Sequence, residues 1–257
     1  MNGMQGDSLP DRIEPDAILE ALVEFRFEHA ELPELVLGRL LDLSLWENSY
    51  TQVRLPAADI PQPIREADPQ LRYQPLVELR KSDGHRVAKI GGHVMSYHVT
   101  GLYPGWTIYR DEIGTLLREA LAKLRSPQIS RIGFRYINIL RPDKHHVRGL
   151  ADTNVALKIG DIELTDSVMV NYTRSAERLS TTVRIATPDL VAGNVPPGYA
   201  LLCDIDVATK AGVVVDGYNE AMDWIEDAHT REKSEFFSLL PPDVMKKLSP
   251  KSGGTNV

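Results

Sequence analysis

Between Ile18 and Glu28 the chain alternates by residue: Val23, Phe25 and Phe27 point one way, and Glu24, Arg26 and Glu28 the other. Side chains on a strand alternate between its two faces, so this segment is a half-buried strand with an apolar side and a charged side. Whatever this chain folds into must offer a core to one face and leave polar groups satisfied on the other.

Further along, Leu35, Val36, Leu40, Leu41 and Leu43 recur at helical spacing, with Pro33 in the first turn. Pro56, Pro61 and Pro63 then predict a long loop without regular structure. Residues 71–81 and 85–90 flank Ser82-Asp83-Gly84, a hairpin signal, because Asp-Gly accepts the positive φ of a tight turn. Gly91-Gly92 leads into another strand over 93–100. Tyr103-Pro104-Gly105-Trp106 has the form of a type II turn, and Asp111 is placed to cap a helix carrying Ile113, Leu116, Leu117, Ala120, Leu121 and Leu124 on one side.

After Ser126-Pro127 a similar order of elements begins again. Strands are predicted over 131–140, within 162–173, over 179–187 and over 200–207, followed by a helix from about 216 to 237. Each half opens on Phe-Arg-aromatic (Phe25-Arg26-Phe27, then Phe134-Arg135-Tyr136) and closes on an amphipathic helix, which raises a structural duplication as one reading. Hairpins with segregated helices predict an α+β fold with antiparallel sheets. The expected division is a flexible tail over 1–15, a first half over 16–126, a second half over 127–248 and a flexible tail over 249–257.

At 257 residues the chain is long enough to bury a substantial core as one large or two small domains. Its net charge of -7 disfavours duplex nucleic acid as a partner. Cys203 is the single cysteine and lies in an apolar run, where an inert buried thiol is expected; one cysteine permits neither an internal disulfide nor a multi-cysteine zinc site. The opening residues lack the basic start and apolar core of a signal peptide, and no apolar run reaches membrane-spanning length, so a cytoplasmic protein without membrane contact is expected.

Candidate chemistry gathers on the strands. Asp204 and Asp206 fall on one strand face and could hold Mg²⁺ or Mn²⁺, with Glu24 as a third ligand and Arg26 or Arg135 stabilising charge. The alternative is a face of ion pairs in which Arg26, Arg135 or Arg184 neutralise the carboxylates, with no cofactor. Glu226 and His229 lie one helical turn apart and could ligate a metal, although packing of His229 beside Trp224, Ile225 or Phe236 is the plainer expectation. His145-His146 is expected in a solvated basic loop. P-loop, dinucleotide-binding, zincin and nucleophile-elbow motifs are absent from the sequence.

Residues 19–27, Tyr103-Pro104-Gly105-Trp106, Gly133-Phe134-Arg135-Tyr136-Ile137-Asn138, Asp204-Ile205-Asp206, His229 and Phe236 together resemble an uncharacterised, sporadically distributed prokaryotic family of proteins of about this length. The resemblance implies horizontal transfer, and with it a role in phage defence or a toxin–antitoxin pair; it carries no activity. Two functions follow as expectations. The first is a non-enzymatic module, immunity-like or regulatory, binding a protein partner of basic character through Tyr103, Trp106, Arg135 and Asn138, with self-association also open. The second is a metal-dependent enzyme acting on nucleotides or phosphate esters through Asp204 and Asp206.

Overall fold

In the computed structural model, which describes residues 9–10, 12–47, 49–193 and 195–248, the alternation of the first strand is realised in full. That strand is β1 (Ile18–Glu28), and Ala21, Val23, Phe25 and Phe27 are buried on one side while the residues between them are half-exposed on the other. Next come α1 (Pro33–Leu41), β2 (Tyr50–Arg54), α2 (Gln62–Ala67), α3 (Pro69–Arg72), β3 (Val77–Lys81), β4 (Arg86–Ile90), β5 (Val94–Thr100) and α4 (Trp106–Lys123). The rest is β6 (Gln128–Leu140), α5 (Pro142–His145), a small hairpin of β7 (Lys158–Ile159) and β8 (Ile162–Glu163), β9 (Met169–Ala176), β10 (Leu179–Ala186), β11 (Leu201–Thr209), α6 (Gly217–Ser238) and α7 (Pro242–Met245).

Among the described residues all strands but the small hairpin join one antiparallel sheet of nine, in the order β2-β3-β4-β5-β1-β6-β11-β10-β9. The fold is therefore α+β, and the first strand lies at the centre of the sheet. No helix among the described residues is long and apolar enough to cross a membrane.

Some local expectations give way. The proline-rich stretch is not irregular: Pro56 opens a 3-10 turn, Pro63 sits in the first turn of α2, and Pro69 starts α3, which Asp68 caps by accepting from the Gln70 amide at 2.8 Å. Proline lacks an N–H that the first turn of a helix does not use, so at these sites it starts helices. The strand expected over 71–81 is correspondingly shortened to β3. The long helix begins at Trp106, one turn before Asp111; Gly105 precedes it with φ 95° and ψ 159°, which is outside the type II turn and serves to swing the chain into the helix. In the segment 162–173 the strand is broken into β8 and the start of β9.

One side of the sheet is covered by helices. Around β1, β5 and β6 the core holds Phe25, Phe27, Tyr97 and Phe134 against Tyr109, Ile113, Leu116 and Leu117 of α4 and Ile225 of α6. A second cluster joins Val183, Ile185, Cys203 and Ile205 to Phe236, Leu239 and Leu240 at the end of α6, to Val244 of α7, and to Ile13 within the segment expected to form a tail. Burial raises the Cys203 thiol to about 12, which keeps it protonated and inert. Residues 1–8, 11 and 249–257 of the expected tails lie outside the described residues.

Candidate functional site

The residues singled out from sequence divide between the two sides of this sheet. Glu24, Arg26, Arg135, Asp204 and Asp206 share the side opposite α4 and α6, here called the open side although α3 and Tyr73 reach it at the end of β1, because each is the odd neighbour of a core residue on its strand. Tyr103, Trp106 and Asn138 lie on the helix side.

On the open side the charges form a chain of ion pairs. Glu24 accepts from Arg26 Nε at 2.8 Å and from Arg131 Nη1 at 2.9 Å, and Arg131 also lies 3.9 Å from Asp206. Both oxygens of Asp204 accept from Arg135, at 2.6 and 2.5 Å, a bidentate geometry that the planar guanidinium favours. Towards β5, His98 Nδ1 meets Glu20 at 2.7 Å, which holds the Glu20 carboxyl below its ordinary value. Towards the end of β1, Arg26 stacks over Tyr73 at 4.8 Å, and Glu28 accepts from Arg72 at 2.7 Å and from the Tyr73 hydroxyl.

Register makes this lattice. Gly133 sits opposite Glu24 on one side and Ala208 on the other, so the middle of the sheet carries almost no side chain there. A Cβ on Gly133 would lie 2.8 Å from Arg131 Nη1. The missing side chain lets Arg131 fold back over the strand to reach Glu24.

Beside Asp206 a recess of about 420 Å³ is lined by Arg131, Ser175, Ser180, Thr182 and Lys210. Burial raises the Asp206 carboxyl above its ordinary value, with Arg131 and Arg135 acting in the opposite direction. Glu24, Asp204 and Asp206 are thus each answered by arginine, and among the described residues no group of three or more His, Cys, Asp or Glu side chains is placed to hold a metal ion. Cation ligation by Asp204 would have to compete with Arg135, which bonds both of its oxygens.

The helix-side residues correct the expectation of an exposed aromatic surface. Tyr103 is half-buried, and its hydroxyl bonds that of Tyr136 at 2.7 Å. Trp106 stacks on His229 with ring centroids 3.8 Å apart, meets the edge of Phe134, and donates Nε1 to Glu226 at 3.2 Å. The Glu226/His229 pair on α6 therefore seats a tryptophan, and the aromatic rings that His229 meets include Trp106, Phe134 and Tyr136. A turn motif predicts chain reversal and says nothing about which way its aromatics point. His145 is also buried, its Nδ1 accepting from the Arg141 amide at 2.9 Å, where a solvated loop was expected.

Asn138 is buried at the boundary between the two core clusters, and its partner is Glu232 of α6. Burial raises the Glu232 carboxyl to about 8, so it is protonated and neutral at pH 7. Sequence reasoning passed over Glu232, although a signal existed: it continues the apolar stripe Ala221, Ile225, Ala228 of α6, where a carboxylate must be buried.

No protein-family model matches the chain, and no curated protein matches it.

Proposed function

We propose that this chain is a non-enzymatic binding module whose partner surface is the open side of the nine-stranded sheet. The observation that carries this proposal is the dispersal of charge on that side. Carboxylates and guanidinium groups are paired along several strands instead of converging on one point, an arrangement suited to exchanging ion pairs with a complementary surface. Catalysis by proton transfer or nucleophilic attack needs the converse, a few groups focused on one reacting atom.

The partner is a protein of basic character. The net charge of -7 steers it to the molecule, while the fixed order of charges across β1, β6 and β11 sets its register. A role as the immunity or regulatory member of a bacterial conflict system follows from the family resemblance. We further infer that the two halves are related by duplication. Support comes from the order outward from the central β1–β6 pair, which is β5-β4-β3 on one side and β11-β10-β9 on the other, with α4 and α6 closing the halves and packing together.

The test is affinity capture of the tagged chain from its host, with quantitative mass spectrometry of what binds in stoichiometric amount. Arg131→Glu, which reverses a charge at the centre of the open side, is expected to reduce partner recovery at least tenfold. Leu102→Glu, an exposed change near the start of α4, is expected to leave it unchanged. A partner that binds Arg131→Glu as well as the unaltered chain, or no stoichiometric protein at all, would overturn the proposal.

A further inference from the structure

The sheet has two edges, and they are unlike. β2 is a strand of five residues that runs into Pro56, and its Arg54 folds back onto Asp59 and the Ala58 carbonyl at 3.0 and 2.6 Å. A short strand ended by charge and proline is a poor template for another strand. β9 has eight residues, Met-Val-Asn-Tyr-Thr-Arg-Ser-Ala, with no proline, no lysine and an unbroken register against β10. Asn171, Thr173 and Ser175 are exposed, and among the described residues β9 pairs with β10 alone. Its outer edge therefore presents unpaired backbone donors and acceptors.

We infer that β9 pairs antiparallel with β9 of a second copy of this chain, about a two-fold axis that passes through Thr173 perpendicular to the sheet. Such an axis opposes residues of the same parity. Thr173 faces its own copy, Asn171 faces Ser175, Tyr172 faces Arg174 and Val170 faces Ala176. Each pairing is favourable by its own chemistry. A threonine pair already bridges β9 and β10, where the Thr173 and Thr182 hydroxyls lie 3.0 Å apart, so the dimer extends that row across the axis. Arg174, which is ion-paired with Glu235 of α6, lies over Tyr172 within one chain at 5.6 Å from the ring centroid, and the two-fold sets each Tyr172 beside the other copy's Arg174.

The one charge on β9 never meets itself in this register. Moving the axis to Tyr172 sets Arg174 against Val170 and Met169 against Ser175, and loses both the cation–π and the hydroxyl pairings. Self-complementarity in one register is what a two-fold interface requires. The axis also places both open sides on the same side of the dimer, so two sheets become one continuous surface. The dimer does not depend on the proposed partner.

A pairing of eight residues per copy spans roughly 27 Å and is a small interface, so association is expected in the micromolar range. Sedimentation velocity of the full chain, from low to high micromolar, is expected to show a monomer passing to a dimer with no larger species. Thr173→Lys sets two ammonium groups face to face and is expected to abolish the dimer without moving the thermal midpoint measured at low micromolar concentration, where the unaltered chain is monomeric. Thr173→Cys is expected to form a disulfide-linked dimer on mild oxidation, since a residue on the axis meets its own copy within bridging distance, whereas Thr51→Cys on the β2 edge does not. A chain that stays monomeric throughout, or a dimer that survives Thr173→Lys and leaves Thr173→Cys unlinked, overturns the inference. Should Thr173→Lys fail to fold, the cross-link decides.

Discussion

The two sides of the sheet are made by the same strands, one residue out of step. Phe25 and Phe134 enter the helix-covered core; Glu24, Arg26 and Arg135, their immediate neighbours, stand on the open side in a lattice of ion pairs. The contrast separates two properties that are often entangled. Burial on the helix side carries the stability, because apolar area removed from water contributes far more than a half-exposed ion pair. The open side can then change its charges at small cost to the fold, as a surface that must match a partner requires.

The sharpest way to break this division is to truncate neighbours on opposite sides. Phe134→Ala is expected to destabilise by about 3–5 kcal/mol in urea unfolding, and Leu22→Ala by less than about 1 kcal/mol. Comparable losses would mean that the open side is covered in solution.

Second in size is the carboxyl inside the core. Glu232 has its value raised from the ordinary 4.5 to about 8, so the folded chain binds a proton more tightly than the unfolded chain does. Its contribution to stability is fully present below about 4.5 and is lost as pH rises through 8. Glu232→Gln is therefore expected to match the unaltered chain near pH 4 and to be the more stable by about 2–4 kcal/mol at pH 9, from thermal or urea midpoints across pH. A constant difference at all pH values would show that Glu232 does not titrate in this range.

On the open side the expected effects are smaller. A double-mutant cycle of Glu24→Ala and Arg131→Ala, a half-exposed pair, is expected to give a coupling of about 1 kcal/mol that shrinks with added salt. A coupling of several kcal/mol, insensitive to salt, would make the pair a structural strut. Smallest of all, Gly133→Ala should displace Arg131 from Glu24 with a stability change within about 0.5 kcal/mol, while weakening partner capture.

Legibility from sequence follows the same division. The alternation of 18–28 reads directly as β1, and the Ser82-Asp83-Gly84 turn, the strand after it and the helix from about 216 are found within a residue or two, because each rests on local periodicity or turn chemistry. What sequence cannot supply is the long-range partner. Trp106 meets His229 across the core from another helix, and no local pattern distinguishes that contact from an exposed turn. Asp204 and Asp206 read more readily as half of an ion-paired strand face than as metal ligands, but which arginines answer them is set by the register that brings Arg135 and Arg131 to them. The start of α4 at Trp106 has no local signal, since Gly105 provides no capping side chain to announce it.

The central position of β1 also has a price in time. It is made before either neighbour, yet its partners are β5 and then β6, which ends at Leu140. At ordinary rates of synthesis the apolar row of Val23, Phe25 and Phe27 waits about 10 s for both sides of its ladder. Pairings this distant in sequence close slowly, so the newborn chain passes through a stage in which this amphipathic strand is an open edge. A strand that ends at the centre of the finished sheet is an edge open to aggregation while the molecule is being made.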